Sequence, residues 1–162
     1  VKVDGIDASL NYERTTGFGS LDFAANLNYT LNNKQQVSPT ATSVDGLQFD
    51  TSRWSLQTSL GGTFGQFRAQ ATWNHSHGYD IAPTTSAPVQ TKVGAFNVVN
   101  LFFKYDVPSD SGILKDLSFT LNVDNVFDQE PPSLLRSNPN EFGFANGFSI
   151  GRLFQIGITK KF

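Results

Sequence analysis

Between residues 21 and 31, Leu21, Phe23, Ala25, Leu27, Tyr29 and Leu31 alternate with Asp22, Ala24, Asn26, Asn28 and Thr30. Side chains on a β-strand point alternately to opposite faces, so a period of two predicts a strand with one apolar and one polar face. The same period recurs along the chain. Ile6, Ala8, Leu10 and Tyr12 alternate with Asp7, Ser9, Asn11 and Glu13, and Trp54, Leu56, Thr58, Leu60, Gly62 and Phe64 oppose Arg53, Ser55, Gln57, Ser59 and Thr63. Phe67, Ala69, Ala71 and Trp73 oppose Arg68, Gln70, Thr72 and Asn74. Leu117, Phe119, Leu121 and Val123 alternate with Ser118, Thr120, Asn122 and Asp124, and Phe154, Ile156 and Ile158 with Gln155, Gly157 and Thr159. The polar side is small and mostly uncharged, and the apolar side is broad. That suits a wall between lipid and a watery lumen better than the exterior of a soluble sheet.

The connections between these strands alternate in length. They are short near Gly17, at Gly65 and Gln66, and over residues 108–115, and long over residues 32–51, from residue 80 to about 94, and from residue 129 onward. Outer-membrane barrels have short periplasmic turns and long outer loops, whereas a soluble β-sandwich or jelly roll requires no such alternation. Aromatic positions follow the same division. Tyr12, Phe64, Phe67, Tyr105, Phe119 and Phe162 fall near the short-turn ends, and Tyr29, Trp54, Trp73, Tyr79 and Phe154 towards the long-loop ends, as expected for two interfacial girdles. The strand over residues 96–107 is the least regular, because Phe96, Val98 and Phe102 interrupt its polar face. The expected fold is all-β: an antiparallel up-and-down meander of about seven long strands, forming an open segment of a large transmembrane β-barrel.

Composition narrows the alternatives. None of the 162 residues belongs to an apolar run of the length a membrane helix needs, about 20 residues. The chain has no cysteine, so there is no disulfide framework and no thiol chemistry. A net charge of −2, with Lys160 and Lys161 as the densest basic cluster, argues against nucleic acid as a partner. The opening VKVDGIDASL lacks the charged start and apolar run of a signal peptide.

Catalytic and metal chemistry find little support. His75 and His77 form an H-x-H that puts both imidazoles on one strand face, a spacing used by zinc ligands, but no further His or Cys completes a site. Interfacial polar residues above the hydrocarbon are the expected role of this pair. Asp106, Asp110 and Asp116 flank a turn with Pro108 and Gly112 but do not match a calcium-loop spacing, and are read as solvated turn carboxylates. No phosphate-binding glycine loop or G-x-S-x-G is present, so neither enzymatic activity nor a cofactor is expected.

The segment N-V-D-N-V-F-D-Q at residues 122–129, a long loop, and the closing G-R-L-F-Q-I-G-I-T-K-K-F at residues 151–162 resemble the carboxy-terminal end of TonB-dependent outer-membrane receptors. The resemblance implies that residues 1–162 are the carboxy-terminal portion of the receptor's β-barrel domain, with the plug and earlier strands outside this sequence. It further implies a bacterial outer-membrane protein that binds and imports a scarce substrate, such as a ferric siderophore, cobalamin or a carbohydrate, using energy coupled through TonB. The partners implied are outer-membrane lipid, a small-molecule substrate, TonB through the amino-terminal part, and the outer-membrane assembly machinery. A passive porin-like diffusion channel is the competing function, with a soluble β-sandwich binding module behind it.

Residues 33–50, 80–92 and 129–146 would then be outer loops. Phe49, Asn138, Asn140, Phe142, Phe144 and Asn146 are the candidates there for stacking on, or hydrogen bonding to, a substrate. Strand parity is expected to bring Arg152 and Asp124 together on the luminal face. The first and last strands are expected to remain unpaired with each other, leaving the sheet open. The resemblance also assigns Phe154, Ile156, Ile158 and Phe162 as the signal read during assembly. Deleting Phe162 from the intact protein is expected to lower its level at the cell surface, measured by surface labelling; an unchanged level would remove the signal role.

Overall fold

The computed structural model describes residues 1–82, 90–109, 111–134, 143–144 and 150–161. Its strands are β1 (Lys2–Thr16), β2 (Gly19–Gln35), β3 (Val44–Asp45), β4 (Trp54–Phe64), β5 (Phe67–Ser76), β6 (Tyr79–Asp80), β7 (Lys92–Val93), β8 (Phe96–Asp106), β9 (Leu117–Asp124) and β10 (Leu153–Lys160). Seven of these form a meander in the order β1-β2-β4-β5-β8-β9-β10, with β3 added beside β2, and β6 and β7 make a separate two-stranded ribbon. Every pairing is antiparallel. Among the described residues β1 does not pair with β10, so the sheet is open, as the strand count led one to expect.

The register carries each side-chain face across the sheet without a break. Ala8, Leu27, Leu56, His75 and Asn97 stand in one row. Phe64, Phe67, Tyr105, Phe119 and Ile158 stand in another, close to the short turns. Directly opposite residues point to the same face, so the apolar positions of neighbouring strands merge into one surface. That surface is bare: Leu10 is 58% exposed, Leu60 62% and Ile156 80%. Among the described residues the buried hydrophobics are Leu47, Ile81, Val93, Phe96 and Val123, and the first three of these lie in the long connections. A β-sandwich of this size would bury one face of each sheet against the other. Here a single layer exposes a greasy face and a wet face. β1 and β2, with 15 and 17 residues, are about 50 Å long, more than the ~30 Å hydrocarbon thickness.

Three expectations need correction. The first long connection is shorter than its composition implied, because β2 continues to Gln35 and pairs there with β3. Leu31 is not part of a regular apolar series, since the register slips at Asp4/Gly5 and Leu31 is the extra residue of a bulge. Tyr79 is not part of the lipid-side girdle. It lies in β6, where its hydroxyl donates to the Gly143 carbonyl and its ring meets Phe144 edge-on. The irregular strand over residues 96–107 does form as β8, and the apolar intrusion at Phe96 is explained by the Phe144 ring stacked on it, the centroids being 6.1 Å apart.

Near the short turns one glycine makes room for a charged bridge across three strands. Asp22 on β2 faces Gly61 on β4, which faces Gln70 on β5, and Arg68 reaches over this gap. The guanidinium forks onto the carboxylate at 2.7 and 3.1 Å. A Cβ on Gly61 would collide with Asp22 Oδ2. Gly61→Ala in the intact protein is therefore expected to lower stability by about 1 kcal/mol, the scale of a half-exposed ion pair. In an Asp22→Ala background that cost should disappear, a coupling that a double-mutant cycle on denaturant unfolding reads directly.

Candidate functional site

The polar face is organised in rows set by the register, and the rows differ in chemistry along the strands. Towards the long connections, Asp7, Asn28, Ser55 and Ser76 form one row, and Ser9, Asn26, Gln57 and Asn74 the next. These residues line a shallow concavity of about 410 Å³. Asn28 Nδ2 donates to Asp7 Oδ1 at 2.7 Å, and Gln57 Nε2 to Asn74 Oδ1 at 2.8 Å. Towards the short turns the rows become charged. Glu13, Asp22, Gly61, Gln70, Phe102, Asn122 and Gln155 share one row, and Arg68, Lys104, Thr120 and Gly157 lie in the next. Arg68 also donates to Gln70 Oε1 at 2.9 Å and Thr63 Oγ1 at 3.2 Å, and Lys104 pairs with Asp106 at 2.8 Å. The wall is thus amide-rich in the two rows that carry Asp7, Asn28, Asn26, Gln57 and Asn74, and it carries a linked charged cluster around Arg68 and Asp22 nearer the short turns.

The rim above the outer half is packed. Leu47, Ile81 and Val93 are buried there, and Phe144 sits between Tyr79 and Phe96. The Gly143 N–H donates to the Pro132 carbonyl at 2.7 Å, and a Cβ on Gly143 would overlap Val93 Cγ1. Of the substrate-contact candidates, Phe144 is therefore engaged in a structural aromatic cluster, and Phe49 is half-buried beside the turn at Asp50. Asn138, Asn140, Phe142 and Asn146 lie outside the described residues, as does Phe162. Phe154, Ile156 and Ile158 share the apolar face of β10 and are 62%, 80% and 67% exposed.

On the opposite, apolar face, His75 and His77 lie near one another, with ring centroids 6.3 Å apart. His75 lies against Trp54 at 4.4 Å and Trp73 at 5.6 Å, and His77 stacks on Trp54 at 5.2 Å. Trp73 Nε1 donates to Asn97 Oδ1, and His75 Nδ1 lies 2.8 Å from the same oxygen. An amide oxygen only accepts, so this contact is a hydrogen bond when His75 carries a proton on Nδ1. This is the chemistry of an interfacial belt, with rings in apolar surroundings and polar tips near water. Among the described residues no group of three or more His, Cys, Asp or Glu is placed to hold a metal ion.

The N-V-D-N-V-F-D and G-R segments meet in space, but not through the expected pair. Arg152 precedes β10, whose first residue, Leu153, faces Asp124, so Arg152 falls one step out of the luminal parity. Its guanidinium donates to the Val126 carbonyl at 3.3 Å, and Asp124 instead accepts from Gln155 at 3.3 Å. The backbone N–H of Arg152 donates to Asp128 Oδ1 at 2.8 Å. Gly151, at φ +80, leaves space for that carboxylate, which a Cβ would approach to 2.7 Å. Asn125 is fully buried and left-handed at φ 52, and its side chain closes both polar groups of Gln129, donating to the carbonyl at 3.0 Å and accepting from the N–H at 2.9 Å. The motif residues are legible in the sequence but their bonding is not, because the partners Asn125–Gln129 and Asp128–Arg152 are set by the turn after β9 and lie outside the strand ladder.

A family model described as TonB dependent receptor-like, beta-barrel matches residues 1–126. No curated protein and no solved structure matches the chain. The matched part covers β1 to β9 and ends within the motif, one residue after Asn125. Replacing Asn125 by Ala removes two buried hydrogen bonds and a residue type that tolerates positive φ. A loss of about 2 kcal/mol in unfolding free energy is expected for Asn125→Ala in the intact protein, with Asn125→Asp retaining only part of the stability, both read from denaturant midpoints.

Proposed function

The chain belongs to the TonB-dependent receptor-like β-barrel family, and we propose that residues 1–162 form the carboxy-terminal wall and outer loops of an outer-membrane receptor that imports a scarce substrate with energy supplied through TonB. Membership makes the chain part of an outer-membrane transport receptor. The active, TonB-coupled character and the small-molecule cargo are the proposal. The observation that carries it is the single open layer, with an unbroken apolar face on one side and graded polar rows on the other. Such a layer is stable only as part of a larger closed wall, with lipid outside and water or protein inside.

In this reading the plug, the TonB-contacting segment and the earlier barrel strands belong to the polypeptide upstream of Val1. Phe49, Asn138, Asn140, Phe142, Phe144 and Asn146 are the proposed substrate contacts of the outer loops. Phe154, Ile156 and Ile158, bare on the lipid face of β10, serve with Phe162 as the assembly signal. Uptake by cells carrying the intact receptor is expected to saturate with substrate and to stop when TonB is removed or the proton gradient is collapsed. Uptake that rises linearly with concentration and ignores TonB would identify a passive channel instead.

A further inference from the structure

The apolar face is not uniform. Near the short turns, Phe67, Phe103, Tyr105, Phe119, Leu121 and Ile156 surround a hollow of about 240 Å³ that crosses β5, β8, β9 and β10. Its origin is the register. Ala69, Phe103, Leu121 and Ile156 stand in one row, and Phe67, Tyr105, Phe119 and Ile158 in the next row towards the short turns. Ala69 is too small to fill its place, and Phe103 stacks diagonally on Phe67 with ring centroids 6.2 Å apart. The hollow opens between that pair and Phe119, Leu121 and Ile156.

Charge and depth select the occupant. Among the described residues, Lys160 is the one Lys, Arg, Asp or Glu on the apolar face of these four strands. It lies opposite Leu117, and its ammonium donates to the carbonyl of Lys115, itself an exposed cation at the same strand end. The acidic groups nearby belong to the other side of the wall. Asp106 pairs with Lys104 at 2.8 Å, and Asp116 lines the luminal mouth with Lys161. The Lys160–Leu117 row is two residues from the Phe119–Ile158 row and four from the Leu121–Ile156 row, about 7 and 13 Å along a strand. Half of the hydrocarbon thickness is about 15 Å, so the hollow lies within the one leaflet that Lys160 borders. A cation at the edge of the hydrocarbon with an acyl-sized recess beneath it matches a lipid whose head carries a phosphate. A second copy fits poorly, because symmetric copies in one membrane share their depth and would bring the Lys160 side chains together.

We propose that the hollow holds an acyl chain of one anionic glycerophospholipid from the periplasmic leaflet, with its phosphate on Lys115 and Lys160. The inference rests on the outer-membrane reading, which sets the short turns in the periplasm, and adds a discrete lipid site to it. The intact receptor, purified in detergent, is titrated separately with dioleoyl phosphatidylglycerol and dioleoyl phosphatidylcholine, and bound lipid is counted by native mass spectrometry. One phosphatidylglycerol is expected to bind about tenfold more tightly than phosphatidylcholine, a preference that falls with added salt. Lys115→Gln combined with Lys160→Gln should erase the preference and leave phosphatidylcholine binding unchanged. Leu121→Trp, which fills the recess, should abolish tight binding of both lipids. The lysine exchanges leave the backbone ladder in place, so they report on the site independently of how well the Trp variant assembles. Equal affinity for the two lipids, or a preference that survives the double exchange, overturns the proposal. So does tight binding that persists in a folded Leu121→Trp receptor, or a dimer that this substitution dissociates, which would give the hollow to a second copy. Uptake judges the transport reading separately. TonB-dependent uptake by a receptor without lipid preference removes the lipid site alone, and TonB-independent passage through a receptor that keeps the preference removes the transport reading alone.

Discussion

Backbone pairing in a single layer is the constraint on which the rest of this molecule depends. Inside hydrocarbon an unpaired N–H or C=O costs several kcal/mol, so each strand must be satisfied by its two neighbours over the whole membrane depth. The seven meander strands meet that demand among themselves, leaving β1 and β10 with one open side each. Side-chain alternation follows from the same pleat, so the apolar face is not a core seeking a partner layer. It is the surface that faces lipid, and its exposure is what a membrane wall requires.

The polar face shows how a wall carrying charge remains ordered. Asp22 and Arg68 are not register partners, and their contact depends on Gly61 keeping the intervening strand free of a side chain. Gly157 is equivalent on β10, where a Cβ would stand 2.5 Å from Thr120 Oγ1. Glycine on a strand interior forgoes packing, and here it lets larger polar neighbours close over the backbone. The charged rows lie nearer the short turns and the amide rows nearer the long connections, so one sheet presents two chemistries along its length.

The turn after β9 links motif to fold. Asn125 supplies the positive φ and both hydrogen bonds to Gln129, Asp128 receives the Arg152 N–H, and Arg152 caps the Val126 carbonyl. These contacts fix where β10 begins across a long connection, and hence its register on β9. The family match ends at residue 126, so the turn stands on its own geometry beyond that point. An Arg152–Asp124 ion pair would have held the same two strands, but Arg152 has the parity of Phe154 and Ile156, and the residue that shares the face of Asp124 is Leu153.

Strand positions, the division into two faces and the antiparallel meander were legible from the sequence, because each depends on a local period of two and on turn residues close by in the chain. Trp54–Phe64 and Leu117–Asp124 begin and end where alternation does. Much of the candidate site was not legible. The rows Asp7–Asn28–Ser55–Ser76 and Ser9–Asn26–Gln57–Asn74 exist only through the register, and sliding one strand by two residues would keep every face and destroy every row. The bulge at Leu31, the Gly61 gap and the Phe144 ring on Phe96 likewise join residues far apart in the chain, and a long-range contact leaves no periodic trace. The sequence by itself determined which side chains face lipid and which face the lumen, because that is a property of each strand alone. Only the tertiary structure decided which luminal side chains stand together, because that is a property of neighbouring strands and of the turns that set their register.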